Sequence, residues 1–386
     1  MLTCLSPNGG QLTTATGPIE RVMAATIRGV YTLERGAPGA PWRIVASALE
    51  EYPISSLLFE PSSRRLYAGT HGNHGLWMSQ DGGAYWVELT QGLTSKHIYT
   101  IAAQYRADKT VLWVGTEPPM LFRSDDLGDS FIELPAVHAV PETDKWSFPP
   151  PPHIAHVKHI SFHPKSPRTL YVCIEQGALL KSVDDGQSWT ELHGYEEPGM
   201  DIKFRHDAHR TVILPSDPQT VYFAAGEGLY VTHSAGEEWQ QLQSRFGRIG
   251  YPDAMFLDPR NEKVIFLGGA GDAPREWRAT RSSRAGVIRS ADGGLTWTET
   301  RTGLPDPLRG NIEAMAHHHA GGYLGILAGT ATGEIYLSED DTQSWTLIAS
   351  GLQPISKAGH YRWFLSDEER ASIDARMMAW KQEARA

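Results

Sequence analysis

Six short segments, SSLLFEP, YTIAAQY, KHISFHP, HRTVILP, DAMFLDP and EAMAHHH, each open on a residue able to donate, accept or carry a proton. Those residues are Ser55, Tyr99, Lys158, His209, Asp253 and Glu313. Two positions upstream stand Pro53, His97, His156, Asp207, Tyr251 and Asn311. Side chains two apart on an extended strand share a face, so the two columns make one polar collar if the segments are arranged around an axis. The fourth residues, Leu58, Ala102, Ser161, Val212, Phe256 and Ala316, are mostly apolar, so the polarity belongs to the segment starts. A solvated channel mouth is the plain alternative, but Ser, Thr and Asn would dominate it. A mixture of carboxylates, imidazoles, an amine and a phenol is what general acid–base chemistry needs.

The expected catalytic group is Tyr99, Lys158, His209, Arg210, Asp253 and Glu313. Neutral imidazole is a common metal ligand, and His97, His156 and His209 with Asp253 are the expected ligands of a divalent cation. His71 and His74 in HGNHG, with Arg205, Tyr251 and Arg278, are expected to bind substrate. Arginine offers a fork of donors to carboxylate or phosphate, which points to an anionic small molecule or sugar; exposed arginines in surface ion pairs are the bland alternative. Long insertions at 135–156 and 270–286, and one containing Asp201, Arg205 and Arg210, are expected to wall the same face. His317, His318 and His319 fall at the far end of their segment and are left out.

What must position these residues is a repeat. SQDGGAYW, SDDLGDSF, SVDDGQSW and SADGGLTW share a hydroxyl residue, an Asp two later, a Gly two after that and an aromatic three further on; THSAGEEW and SEDDTQSW are weaker copies. Their first residues, Ser79, Ser124, Ser182, Thr232, Ser290 and Ser338, are spaced 45, 58, 50, 58 and 48 apart. That period suits one four-stranded propeller blade per repeat. Apolar, β-branched runs before each octapeptide and a short run after it supply the strands. Six blades are evident, and RVMAATI, GVYTLER and WRIVASAL give three strands of a seventh. Its missing strand comes from MLTCLSP or from AGHYRWFL, and either would remove an open edge.

The octapeptide resembles the Asp-box, or BNR repeat, of sialidases, sortilin-type receptors, large xyloglucan hydrolases and photosystem II stability factors. The resemblance covers nearly the whole chain and implies an all-β, seven-bladed β-propeller of four-stranded antiparallel blades with Asp-box turns. It implies a structural box, on the face away from any active site. It is nearly silent on activity: the Arg-Ile-Pro motif of sialidases and the paired acids of xyloglucan hydrolases have no match here. Walker, HExxH, GxSxG and CxxC motifs are also absent, so no nucleotide cofactor is expected.

Residues 1–365 are read as one propeller and 366–386 as a C-terminal helix, with a capping box in Ser366 and Glu369 and an apolar stripe of Ile373, Met377 and Trp380. That helix packs on the ring or on a second copy, which would make a homo-oligomer. A net charge of −10 argues against nucleic acid or an anionic membrane as partner. Cys4 and Cys173 are too few for a disulfide framework, and no charged start leads into a long apolar run, so a cytoplasmic protein is expected. The leading functional reading is a metal-assisted hydrolase or lyase. The alternatives are a metal-independent glycosidase using Asp253 and Glu313, and a non-catalytic scaffold for protein assembly.

Overall fold

The computed structural model describes residues 2–9, 12–148, 153–195, 207–244, 246–299, 301–357, 359–368 and 370–371. Among them, seven sheets each carry the strands of one blade. Blade 2 is representative: strands Ile54–Glu60, Arg65–Thr70, Leu76–Ser79 and Val87–Leu89 meander outward in antiparallel register. Each pair of adjacent blades encloses its own apolar core, so the hydrophobic interior is a ring of seven clusters. Val111, Trp113, Val157 and Val172 lie between blades 3 and 4, for example, and Leu5, Val22, Ala314 and Leu327 between blades 1 and 7. Buried Val, Ile, Leu and aromatic side chains on both strand faces suit sheets packed on both sides.

The octapeptides close the third and fourth strands by one hydrogen-bond pattern. Ser290 Oγ donates to Asp292 Oδ1 at 2.8 Å and accepts from the Gly294 N–H at 2.8 Å, while the Thr296 N–H and hydroxyl donate to the Asp292 carboxylate at 2.9 and 2.6 Å. Those donors hold the Asp292 carboxyl down at about 2. Gly294 sits at φ +94°, where a Cβ would also meet Leu242. In THSAGEEW, Ser234 Oγ replaces the carboxylate and still accepts from the Glu238 N–H at 3.0 Å. The boxes are therefore turns closed by their own side chains.

The N-terminus departs from the simple pattern. Leu2–Leu5 is the innermost strand of blade 1, so MLTCLSP supplies the missing strand; it runs parallel to its neighbour Arg21–Thr26, a correction to the all-antiparallel expectation. The chain then crosses the channel, where Asn8 donates its N–H to Ser55 O at 3.1 Å and its Nδ2 to Tyr99 O at 2.9 Å. It returns as Leu12–Thr14, a fifth strand parallel to Ile312–Ala320 of blade 7. The AGHYRWFL region is instead a 3-10 turn, His360–Phe364, packed with Tyr251 and Trp277 over the other end of the channel. Of the expected C-terminal helix, Ile373, Met377, Trp380 and Glu369 lie outside the described residues. No helix among the described residues is long and apolar enough to cross a membrane.

Candidate functional site

The innermost strands of blades 2 to 7 each carry a break in register at one position. Pairing skips Ser55, Tyr99, Lys158, His209, Asp253 and Glu313, the same six residues that open the aligned segments. Each is thus the extra residue of a β-bulge, and a bulge re-aims its side chain. This is why six unrelated polar residues converge where the strands begin, at the end opposite the boxes.

Two carboxylates and two ammonium groups form the centre of the collar. Glu175 Oε1 accepts from Lys158 Nζ at 3.0 Å and from Lys357 Nζ at 2.9 Å, and Asp253 Oδ1 accepts from the same groups at 2.7 and 2.6 Å. Asn311 Nδ2 donates to Asp253 Oδ2 at 2.8 Å. All five side chains are buried, Lys158 and Lys357 being 3% and 2% exposed. Burial opposes the charge on Glu175 and Asp253, but the two lysines outweigh it and hold both carboxyls well below the usual range. The same carboxylates, again against burial, hold Lys357 well above its ordinary value. Glu313 has separate partners: the Lys357 N–H at 2.8 Å and Ser356 Oγ at 3.2 Å.

A second grouping lies on the side of blades 2, 3 and 4. The Glu117 carboxylate is approached by His71 Nε2 at 3.5 Å, His97 Nδ1 at 3.6 Å and His156 Nδ1 at 3.2 Å. Burial works against the charge on Glu117, but His156 and His71 outweigh it and hold its carboxyl well below the usual range. His156 Nε2 is in turn 2.7 Å from Glu175 Oε2, which joins this group to the lysine pair. Burial lowers the His156 imidazole, yet Glu117 and Glu175 together raise it above its ordinary value. Burial and the nearby His71 bring His97 down to about 4, so it is neutral at pH 7 with a lone pair to offer. His71 and His97 are half-buried and reach solvent, whereas Tyr99, stacked on His156 at 3.7 Å, is fully buried with no partner for its hydroxyl. Burial and the surrounding carboxylates push that phenol well above its usual value, so it keeps its proton.

The structure divides the expected metal ligands. His97 and His156 meet at Glu117, but His209 and Asp253 belong to the opposite side. Asp253 is already saturated by two ammonium groups and an amide, and His209 donates Nδ1 to Pro252 O at 2.6 Å with Nε2 3.1 Å from Asp207. A different grouping, His71, His97 and Glu117, is brought together by the fold, with ligand atoms all within 4.8 Å of one another. His71 Nε2 and His97 Nδ1 lie 3.5 and 3.6 Å from the Glu117 carboxylate oxygens. Glu175, Asp207 and His209 also cluster, but there Glu175 already neutralises two lysines.

The other expected residues have four different fates. Tyr251 lies edge-on to His209 at 4.7 Å inside the collar, and His74 stacks on Tyr52 at 4.9 Å near His71. Arg210 is buried, but its Nη2 donates to Gly9 O at 3.1 Å, so it anchors the N-terminal crossing instead of facing the mouth. Arg278 is exposed on the helix Pro274–Thr280 and lies over the Trp363 ring at 5.5 Å. Arg205 lies outside the described residues. Glu117, Glu175 and Lys357 were missed. The first two end second strands (LWVGTE, LYVCIE), and aligning those strands as the first ones were aligned finds them. Lys357 lies past the last repeat, where no period applies.

No family model matches the chain. It is 25% identical over 287 residues to a xyloglucanase of a Paenibacillus species, covering 65% of this chain and 26% of that protein. It is likewise 25% identical over 259 residues to the xyloglucanase of Hypocrea jecorina, covering 52% and 28%. The chain thus spans about a quarter of the length of the curated relatives it matches. Among solved structures, an ancestral GH74 enzyme superposes with a TM-score of 0.57 at 15% identity, over 77% of this chain and 37% of that one. YCF48 bound to a D1 peptide gives 0.49 at 14% identity, over 87% of both chains. The fold is shared with the GH74 enzyme, in keeping with the Asp-box resemblance and with no specific member matched.

Proposed function

We propose that this chain is a propeller hydrolase that acts on a carbohydrate with the help of a divalent cation held by His71, His97 and Glu117. The observation that carries the reading is the convergence of the His71, His97 and His156 imidazole nitrogens on the Glu117 carboxylate, at 3.5, 3.6 and 3.2 Å. The substrate class rests on the curated relatives, which are xyloglucanases.

A cation there would polarise a substrate oxygen or acidify water. The chain's own residues do the rest. His156 orients Glu117 from behind, and Glu175 fixes His156 in turn, the carboxylate–histidine arrangement that tunes metal ligands. Tyr99, fully buried and stacked on His156 at 3.7 Å, keeps its proton and holds that imidazole in place. The lysine pair neutralises Glu175 and Asp253, which leaves Glu117 as the carboxylate facing the half-open imidazoles. The test is turnover of a panel of xyloglucan and other β-glucan oligosaccharides by metal-stripped and metal-restored protein. Activity should require the metal and fall by about two orders of magnitude or more in His71→Ala, a loss in the range seen for catalytic-site ligands. Undiminished activity after stripping would overturn the metal assignment.

A further inference from the structure

The box-side half of the channel is a separate space. The crossing at residues 6–9 closes it from the collar: Ser6 Oγ accepts from the Leu57 N–H at 2.9 Å, and Thr100 Oγ1 donates to Asn8 O at 3.2 Å. The strand Leu12–Thr14 then covers the blade 7 wall by pairing with His317–His319. Among the described residues no such strand covers blades 2, 3 and 4, and there a cavity of about 510 Å³ remains. Its walls include Leu58, Phe59, Ile101, Ala102, Ile160 and Phe162, so the apolar fourth positions of the aligned segments line it in blades 2 and 3.

We infer that this half-channel binds an uncharged, largely apolar small molecule carrying one hydroxyl or amide group. The volume lies within the range of small-molecule sites. No Lys, Arg, Asp or Glu lines the cavity, so nothing there would compensate a charged ligand for lost water. The polar groups at its wall are hydroxyls, the Asn8 amide and His159, whose imidazole is kept neutral by burial and by the cations Arg210 and Lys158. His159 Nδ1 accepts weakly from the Thr211 N–H at 3.4 Å, which directs the ring and gives a neutral ligand one hydrogen-bonding partner. The closed inner end rules out a threaded polymer, and an apolar wall left to water would be costly.

The probe is the neutral dye phenylnaphthylamine, followed by fluorescence with the intact chain. Saturable binding at one molecule per chain is expected. Ala102→Trp fills the cavity and Pro61→Trp narrows its exposed rim; both should abolish the signal while circular dichroism is unchanged. His71→Ala should bind the dye like the wild type, so failure here and failure of the metal reading remain distinguishable. Absence of saturable binding, or equal binding by the wild type and Pro61→Trp, would overturn the inference. So would a signal that tracks dimerisation of the chain, because the apolar wall would then be a contact between copies.

Discussion

At the scale of single residues, the collar is a charge-balanced interior in which each ion depends on its neighbours. Lys357 reaches in from beyond the last blade to satisfy Glu175 and Asp253. Lys357→Met should therefore cost about 3–5 kcal/mol, the scale for breaking a buried pair and stranding its partner, as read by urea unfolding. Adding Asp253→Asn should recover part of that loss, because the two groups act as one unit. Full additivity of the two losses would show that the pair does not act as such. The collar's first column was legible from sequence because every member opens an equivalent strand. Glu117 and Glu175 escaped because acidic residues at the ends of second strands occur in two blades only. The proposed ligand set was therefore legible in part: His97 was identified, His71 was assigned to substrate, and Glu117 was not seen.

At the scale of elements, two devices hold the blades to their purpose: the box turn at one end and the bulge at the other. Ser290 is fully buried and accepts from the buried Gly294 N–H, so Ser290→Ala should cost about 1–3 kcal/mol by leaving that donor unsatisfied. Thermal denaturation at fixed pH measures it, and no change would mean the turn is held by the carboxylate alone. Strand order and turn chemistry could be read from the octapeptides because each repeat has a fixed backbone demand. The bulges could not, since a bulge has no composition of its own; only the recurrence of polar residues at one aligned position betrayed them. The parallel pairing of Leu2–Leu5 was also hidden, because a four-residue apolar strand carries no direction.

At the scale of the molecule, the N-terminal chain closes the ring at blades 1 and 7 and divides the channel, while the segment around Lys357 caps the collar. Deleting residues 1–14 should expose both inner edges and lower the melting temperature sharply, beyond what loss of a tail would do. The ring's pH response follows from its buried imidazoles. Burial holds His317 down at about 3, with Asp258 pulling it up and Arg210 and His319 pushing it down. The unfolded chain binds that proton below about 6.5 while the folded one refuses it. Stability should therefore fall as pH drops from about 6.5 towards 3, at up to about 1.4 kcal/mol per pH unit for this group. His317→Phe should flatten that slope in melting curves taken across the range; an unchanged slope would assign the acid sensitivity elsewhere.

The half-buried His71 and His97 and the buried Glu117, from blades 2 and 3, either hold a cation or do not. Calorimetric titration of zinc and manganese into chelator-treated protein answers this directly. One site per chain is expected, weakened by about 10- to 100-fold or more in His71→Ala and His97→Ala and unaffected in Ser290→Ala. Absence of stoichiometric binding by the intact chain, or binding that both histidine variants retain, would contradict it.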